Sequence, residues 1–261
     1  MAIKKSVGKL GANHILDAKV IQASLNSISI PYGLPQKLIV DGLVGKKTIE
    51  AIELFQNNVV RLVSPDGCVN PNKKTHAVIK KYLSKKITLD VLLAIMGHGE
   101  RQKIEVFYPQ IEALLPRYKV NTPLRKSHFL AQIGHESLSL IYTEEIATGQ
   151  AYEGRVDLGN TQKGDGVRFK GRGLIQLTGR HNYTEYGIYI GIELLADGQE
   201  KLISISPKYA LDVALWFWNK RKLNNYADRD DLLAITRRVN GGYNGLEDRQ
   251  DYLNRAKFFL L

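Results

Sequence analysis

The residues best suited to chemistry lie in two stretches near the middle of the chain. The first is His128-Phe-Leu-Ala-Gln-Ile-Gly-His135-Glu136-Ser137. Phe129, Ile133, Glu136 and Leu140 follow one another at offsets of four, three and four, so a helix would carry them on one face. A carboxyl group on an apolar face loses hydration, which favours its protonated form. Cleavage of a glycosidic bond near neutral pH requires such an acid at the leaving oxygen. The same spacing also describes an ordinary glutamate reaching solvent from the edge of a helix stripe. The second stretch, Gly171-Arg-Gly173-Leu-Ile-Gln176-Leu-Thr178-Gly-Arg-His181-Asn182-Tyr183, crowds hydrogen-bonding side chains among glycines. That composition suits a backbone approached closely by a polymer rich in hydroxyls. It is not a nucleotide loop, because the third glycine and a preceding apolar strand are both missing.

Glycoside hydrolysis normally takes two carboxylates, and Glu144, Glu145 and Glu153 are the nearby candidates for the second. Glu145 would fall on the far side of a straight helix from Glu136. It can face the same cleft only if the chain turns first, which the loss of periodicity after Tyr142 permits. A zinc-protease reading of His135-Glu136 fails, because the position four residues after His135 is Ser139 rather than a second histidine. No metal and no cofactor is expected. The single cysteine, Cys68, allows neither an intrachain disulfide nor a cysteine metal cluster.

The elements that must position these residues are mostly helices. Thr122-Pro123 pairs a capping hydroxyl with proline at the first helical position, and the helix it starts is expected to run to about Tyr142. Ser206-Pro207 repeats the device ahead of Leu211, Ala214, Leu215 and Trp218. Asp228 to Asn240 reads as a further helix ended by Gly241-Gly242, and residues 146–173 read as loop. Thr88 can cap a helix through Leu92, Ile95 and Met96. In the first third, Val20, Ile21, Leu25 and Ile28 keep helical spacing, as do Ile49, Ile52, Phe55 and Val59. The run Asp41-Gly42 to Thr48 returns in part as Asp66-Gly67 to Thr75, a partial internal repeat. Alternating strand patterns are almost absent. The expected fold is mainly α: a small three-helix module over residues 1–86, then a larger α-helical domain over 87–261.

Charge separates the same two parts. Of a net +11, residues 1–86 hold 14 Lys+Arg against 5 Asp+Glu, or +9, and residues 87–261 hold 23 against 21, or +2. The basic first third points to an anionic partner. No apolar run approaches the roughly 20 residues needed to span a bilayer, so no membrane insertion is expected. The first residues carry lysines without an apolar segment, which is not a secretory signal.

Two resemblances sharpen these expectations. The stretches around Glu136 and Gly171 resemble the family-19 glycoside hydrolases, whose lysozyme/chitinase-like fold many bacteriophage endolysins use against peptidoglycan; the resemblance covers roughly residues 88–261. Asp41 to Gln56 is similar to the small three-helix peptidoglycan-binding domain of cell-wall hydrolases, over roughly residues 12–84. The resemblance implies an inverting mechanism. Glu136 would be the general acid, with Glu145, at the nine-residue spacing such endolysins use, the base and Glu153 its runner-up. Thr178 would hold the attacking water. Gln176, Asn182 and Asn240 would bind substrate, and Tyr183 would be either a sugar platform or core. Arg249 and Arg255 would be weaker anchors. Leu138-Ser139 replaces the family's frequent Gly-Gly, and His181 stands where plant chitinases often carry tyrosine. Together these imply a modular endolysin cutting β-1,4 bonds of peptidoglycan, made in a host cytoplasm and reaching the wall by a separate release step, with a monomer as the default expectation. The basic module would grip the anionic wall surface, with no specific nucleic acid. A chitinase, or a non-catalytic wall-binding protein, is the alternative.

Overall fold

A computed structural model describes residues 1–28 and 37–261. In chain order the α-helices are α1 (Ile15–Ser27), α2 (Lys46–Phe55), α3 (Lys74–Tyr82), α4 (Leu89–Met96), α5 (Arg101–Leu114), α6 (Pro123–Glu136) and α7 (Asp165–Arg168). They continue with α8 (Arg180–Ile190), α9 (Leu202–Ile205), α10 (Pro207–Lys220), α11 (Asn224–Ala227), α12 (Leu232–Asn240) and α13 (Leu246–Leu260). Among the described residues the one sheet pairs β1 (Val7–Gly8) antiparallel with β2 (Cys68–Val69). The mainly helical expectation therefore holds. No helix among the described residues is long and apolar enough to cross a membrane.

The chain forms two compact units, Met1–His98 with Glu247–Leu261, and Gly99–Leu246. In the first, the repeat seen in the sequence is a repeat of hydrogen bonding. Gln22 on α1 is buried; its Nε2 donates to Asp41 Oδ1 and Leu43 O, both at 3.0 Å, and its Oε1 accepts the Gly42 amide at 2.8 Å. Gln56, just past α2, does the same one repeat later. Its Nε2 donates to Asp66 Oδ1 at 2.6 Å, Cys68 O at 2.9 Å and Thr75 Oγ1 at 3.2 Å, and its Oε1 accepts the Gly67 amide at 2.9 Å. Each Asp-Gly turn is thus held by a buried amide that satisfies several polar groups at once. Glycine is required in both turns, since Gly42 and Gly67 have φ of 85° and 65°.

A three-helix module ending near residue 86 is not a separate body. Helix α4 packs on α1, with Asn26 Nδ2 donating to Asp90 Oδ2 at 3.0 Å and Lys19 Nζ to Gly97 O at 2.6 Å. Helix α13, from the far end of the sequence, joins the same unit: Arg255 Nε donates to Ile95 O at 2.9 Å and Lys4 bridges to Asp251 at 2.6 Å. The physical reason is the apolar surface of α4, whose Val91 to Met96 are all buried and need a partner on more than one side. Arg249 and Arg255, considered as substrate anchors, are both buried. Arg255 stacks 4.6 Å over the Tyr252 ring, so it is committed to this core.

In the second unit α5, α6 and α10 supply the core, with Phe129 and Trp218 in edge-to-face contact at 5.4 Å. Thr122 caps α6 as expected, accepting from the Arg125 amide at 3.2 Å. Two helix boundaries differ from expectation. Helix α12 begins at Leu232 rather than Asp228, because Asp231 caps it by accepting the Ala234 amide at 2.9 Å. Helix α6 stops at Glu136 rather than near Tyr142, and that early stop shapes the site.

Candidate active site

Glu136 is the last residue of α6 and is half-buried. Ser137 ends the helix: its hydroxyl donates to Ile133 O and accepts the Leu140 amide at 2.9 Å, competing with the backbone for both groups. Leu138, Ser139 and Leu140 then all take left-handed φ of 48°, 63° and 68°. Three such non-glycine residues in a row are costly, at roughly 1–2 kcal/mol each, and are held by Ser139 N to Gly134 O at 2.7 Å and Tyr142 N to Ser137 O at 3.0 Å. Leu138 and Ser139 are the positions where the family resemblance expects Gly-Gly. Leu140 therefore leaves the helical stripe on which the sequence placed it.

The turn delivers residues 143–145 to the second motif. Gly173 N donates to Thr143 O at 2.8 Å and Glu145 N to Gly171 O at 2.9 Å. Arg172 and Leu177 exchange backbone hydrogen bonds at 3.1 and 2.8 Å, closing a tight hairpin. Gln176 sits in it at φ 56°, a strained conformation of the kind that clusters at functional sites.

Glu145 is held from two sides. Tyr152 Oη donates to its Oε1 at 3.0 Å and the Gly171 amide to its Oε2 at 3.1 Å. Burial, then the hydrogen bond to Glu145, raises the Tyr152 pKa, so the phenol keeps its proton. Gln176 shares this space: a methyl group on Gly171 would lie 2.7 Å from Gln176 Oε1 and 3.1 Å from Glu145 Oε2. Thr178 Oγ1 donates to Gln176 O at 2.9 Å. With its proton committed, the hydroxyl offers lone pairs to another molecule, as a water-holding group must. Asn182, in the first turn of α8, donates to Thr178 O at 2.7 Å. The structure thus brings Glu145, Gln176, Thr178 and Asn182 together.

The neighbouring acids have other tasks. Glu153 accepts the Gly164 amide at 2.6 Å and the Gly166 amide at 2.8 Å, fastening the 146–170 loop. Burial would raise the Glu144 pKa, but Arg172, with Lys170 and Ser204, outweighs it and holds the carboxyl below its ordinary range. Its contacts are Lys170 Nζ at 3.2 Å, Arg172 Nη2 at 3.3 Å and Ser204 Oγ at 3.0 Å. Of the two sequence readings of Tyr183, core packing is the one realised. The ring is 0% exposed, packs 5.2 Å from Phe169, and its hydroxyl donates to Lys170 O at 2.7 Å. It supports the hairpin from beneath.

Asn240 ends α12, and its Nδ2 donates to Asn244 O at 3.0 Å. That loop touches the acid's neighbour, because a methyl on Gly245 would fall 2.0 Å from the His135 ring. Sequence reasoning missed Tyr152, which lies in an aperiodic loop seven residues from its partner. It also missed the Asp165–Arg180 pair at 2.6 Å, which ties that loop to α8.

Comparison with known proteins bears on the same region. Residues 126–234 match the family model for glycosyl hydrolase family 19, chitinase class I. The chain is 28% identical over 173 residues to a glycosyl hydrolase family 19 domain-containing protein of Haemophilus influenzae, covering 54% of this chain and 83% of that one. It is 40% identical over 113 residues to an endochitinase of Arabidopsis thaliana, covering 43% of this chain and 38% of the plant protein. The chain thus spans well under half the length of that plant relative. Among solved structures, chitinase C of Streptomyces griseus aligns over 67% of this chain and 76% of its own, with a TM-score of 0.53 and 21% identity. The class IV chitinase of Zea mays aligns over 67% of this chain and 92% of its own, with a TM-score of 0.54 and 21% identity.

Over residues 126–234 the chain thus resembles glycosyl hydrolase family 19 in sequence, and over 67% of its length it resembles these chitinases in fold. The expectation of a phage endolysin with muramidase activity on peptidoglycan is corrected: the family model and the similar plant and bacterial proteins are chitinases. The motifs around Glu136 and Gly171 carried a resemblance that covers endolysins and chitinases alike, so they did not separate the two.

Proposed function

We propose that this protein hydrolyses the β-1,4 bonds of chitin, a polymer of N-acetylglucosamine, by general acid/base catalysis. The observation that carries the reading is the joint placement of Glu145, Gln176 and Thr178 around Gly171, within the segment that matches chitinase class I. Glu136, at the end of α6, protonates the leaving oxygen. Glu145 accepts a proton from water held against Thr178, and Gln176, Asn182 and Asn240 hydrogen-bond the sugar units. In an inverting reaction water attacks the face opposite the leaving group, and the product appears first as the inverted anomer.

The test is incubation of the full chain and its Glu136→Gln variant with N-acetylglucosamine oligomers. Products are identified by mass spectrometry and the first-formed anomer by proton NMR. Cleavage lost in the variant, with the α-anomer formed first, supports the assignment. Intact oligomers with the unmodified chain would refute it.

A further inference from the structure

Lys170 stands at the end of the 146–170 loop, and its side chain is 17% exposed. Its ammonium meets three oxygens of the segment that carries Glu145: Glu145 O at 2.9 Å, Ala147 O at 3.3 Å and Glu144 Oε1 at 3.2 Å. An ammonium has three hydrogens and no acceptor, so these oxygens account for all of its donors. The Lys170 carbonyl accepts from the buried Tyr183 hydroxyl at 2.7 Å, which fixes the lysine's own backbone beneath the hairpin. The clasp completes the hold on Glu145. Its amide donates to Gly171 O at 2.9 Å, and its two carboxylate oxygens accept from Tyr152 and from the Gly171 amide. The carbonyl is the polar group that remains, and Lys170 Nζ takes it. Residues 146–148 are exposed, and Ile146 is 80% exposed. The chain beyond Glu145 therefore has no apolar packing to hold it, and its place rests on these polar ties.

We propose that Lys170 is a positioning residue for the hydrolysis: by clasping Glu144, Glu145 and Ala147 it holds the Glu145 carboxylate where it accepts a proton from water. The inference rests on the proposed role of Glu145 as the base. A hydrogen bond from an ammonium is charge-assisted and stronger than one between neutral groups. Glu144 supplies the opposite charge within the same segment, so the lysine stays with that segment instead of turning to solvent. Residue type matters here. Three acceptors converge on one nitrogen, which suits the rotatable ammonium of lysine, whereas arginine offers a planar fork. Lys170 acts through Glu145 and not on the sugar, so its loss slows the chemical step and leaves binding of the oligomer in place.

The test compares the full chain with its Lys170→Met and Lys170→Arg variants by two readouts. The first is amide hydrogen exchange followed by NMR at Gly171, whose N–H donates to the Glu145 carboxylate and reports its place whether or not a sugar is cleaved. The second is steady-state kinetics on N-acetylglucosamine oligomers. Lys170→Met should speed exchange at Gly171 and Glu145 about tenfold, with the amides of α10 unchanged, and lower kcat about tenfold with KM within about twofold. Lys170→Arg keeps the charge and should fall between the parent and Lys170→Met in both readouts; it keeps the test valid if the methionine variant fails to fold. Unaltered exchange at Gly171 in both variants would overturn the proposal. So would a loss of kcat accompanied by faster exchange throughout α10, which marks a loosened fold and not a displaced Glu145. A parent chain that cleaves no oligomer would refute the reading of Glu145 as base, and exchange at Gly171 would still decide whether Lys170 holds that carboxylate.

Discussion

Gly171→Ala separates catalytic geometry from stability. The backbone at Gly171 is not left-handed, so alanine is conformationally allowed there. Its methyl group would sit 2.7 Å from Gln176 Oε1 and 3.1 Å from Glu145 Oε2, against an ordinary contact of 3.4 Å or more. Gln176 must therefore retreat by about 0.7 Å and Glu145 by about 0.3 Å, the shortfalls between those distances. Both obstacles are the far ends of flexible side chains, each tied only by hydrogen bonds, Gln176 to Gly173 O and Glu145 to Tyr152 and the Gly171 amide, so the fold yields easily, and the entropy alanine removes from the unfolded chain offsets part of the cost at about 0.4–1 kcal/mol. A displacement approaching 1 Å in a catalytic constellation lowers the rate by up to about 100-fold. The expected outcome is a 10- to 100-fold loss of kcat on N-acetylglucosamine oligomers with a melting temperature within about 2 °C of the parent. Steady-state kinetics and calorimetry on one preparation read both. Full activity in the variant would show that the Glu145–Gln176 arrangement is not the reacting geometry.

Tyr152→Phe removes one of the two donors that hold Glu145. Its kcat should fall several-fold with KM little changed, and stability should drop by about 1 kcal/mol; equal kcat in the two proteins would exclude a positioning role. Gly245→Ala combines a φ of 71° with a methyl 2.0 Å from the His135 ring, so it should destabilise by about 3 kcal/mol, which urea denaturation measures. Asp165→Asn breaks the part-buried ion pair with Arg180 and should cost about 2 kcal/mol at pH 7. Hydrogen bonding to Arg180 lowers the Asp165 pKa in the folded state below its ordinary 3.8. The pair's contribution is therefore fully present above about pH 4 and is lost as pH falls through the depressed value. The stability gap between parent and variant should shrink in acid; a gap unchanged down to pH 2 would assign the effect to something other than ionisation.

The helix starts were written locally. Thr88 and Thr122 cap α4 and α6 with their own hydroxyls, and Gly241 ends α12 in the left-handed conformation, because capping needs only groups a few residues apart. The Asp-Gly turns of the first third were equally legible, and the residues around Gly171 suited a hydroxyl-rich polymer by type alone. The sequence could not show that Gln22 and Gln56 each thread into a turn from the preceding helix, because both look like surface residues of amphipathic segments. Nor could it place α13 beside α4, whose contact spans about 160 residues. The stop of α6 at Glu136 rests on Ser137 and on three strained residues that only surrounding structure can hold. That stop carries Glu145 to Gly171, and burial decides that Tyr183 is core rather than platform. Residue type and short spacing set which groups are available for chemistry. Long-range packing decides which of them meet, because the energy that holds a strained turn or a buried ring comes from partners far away in the chain.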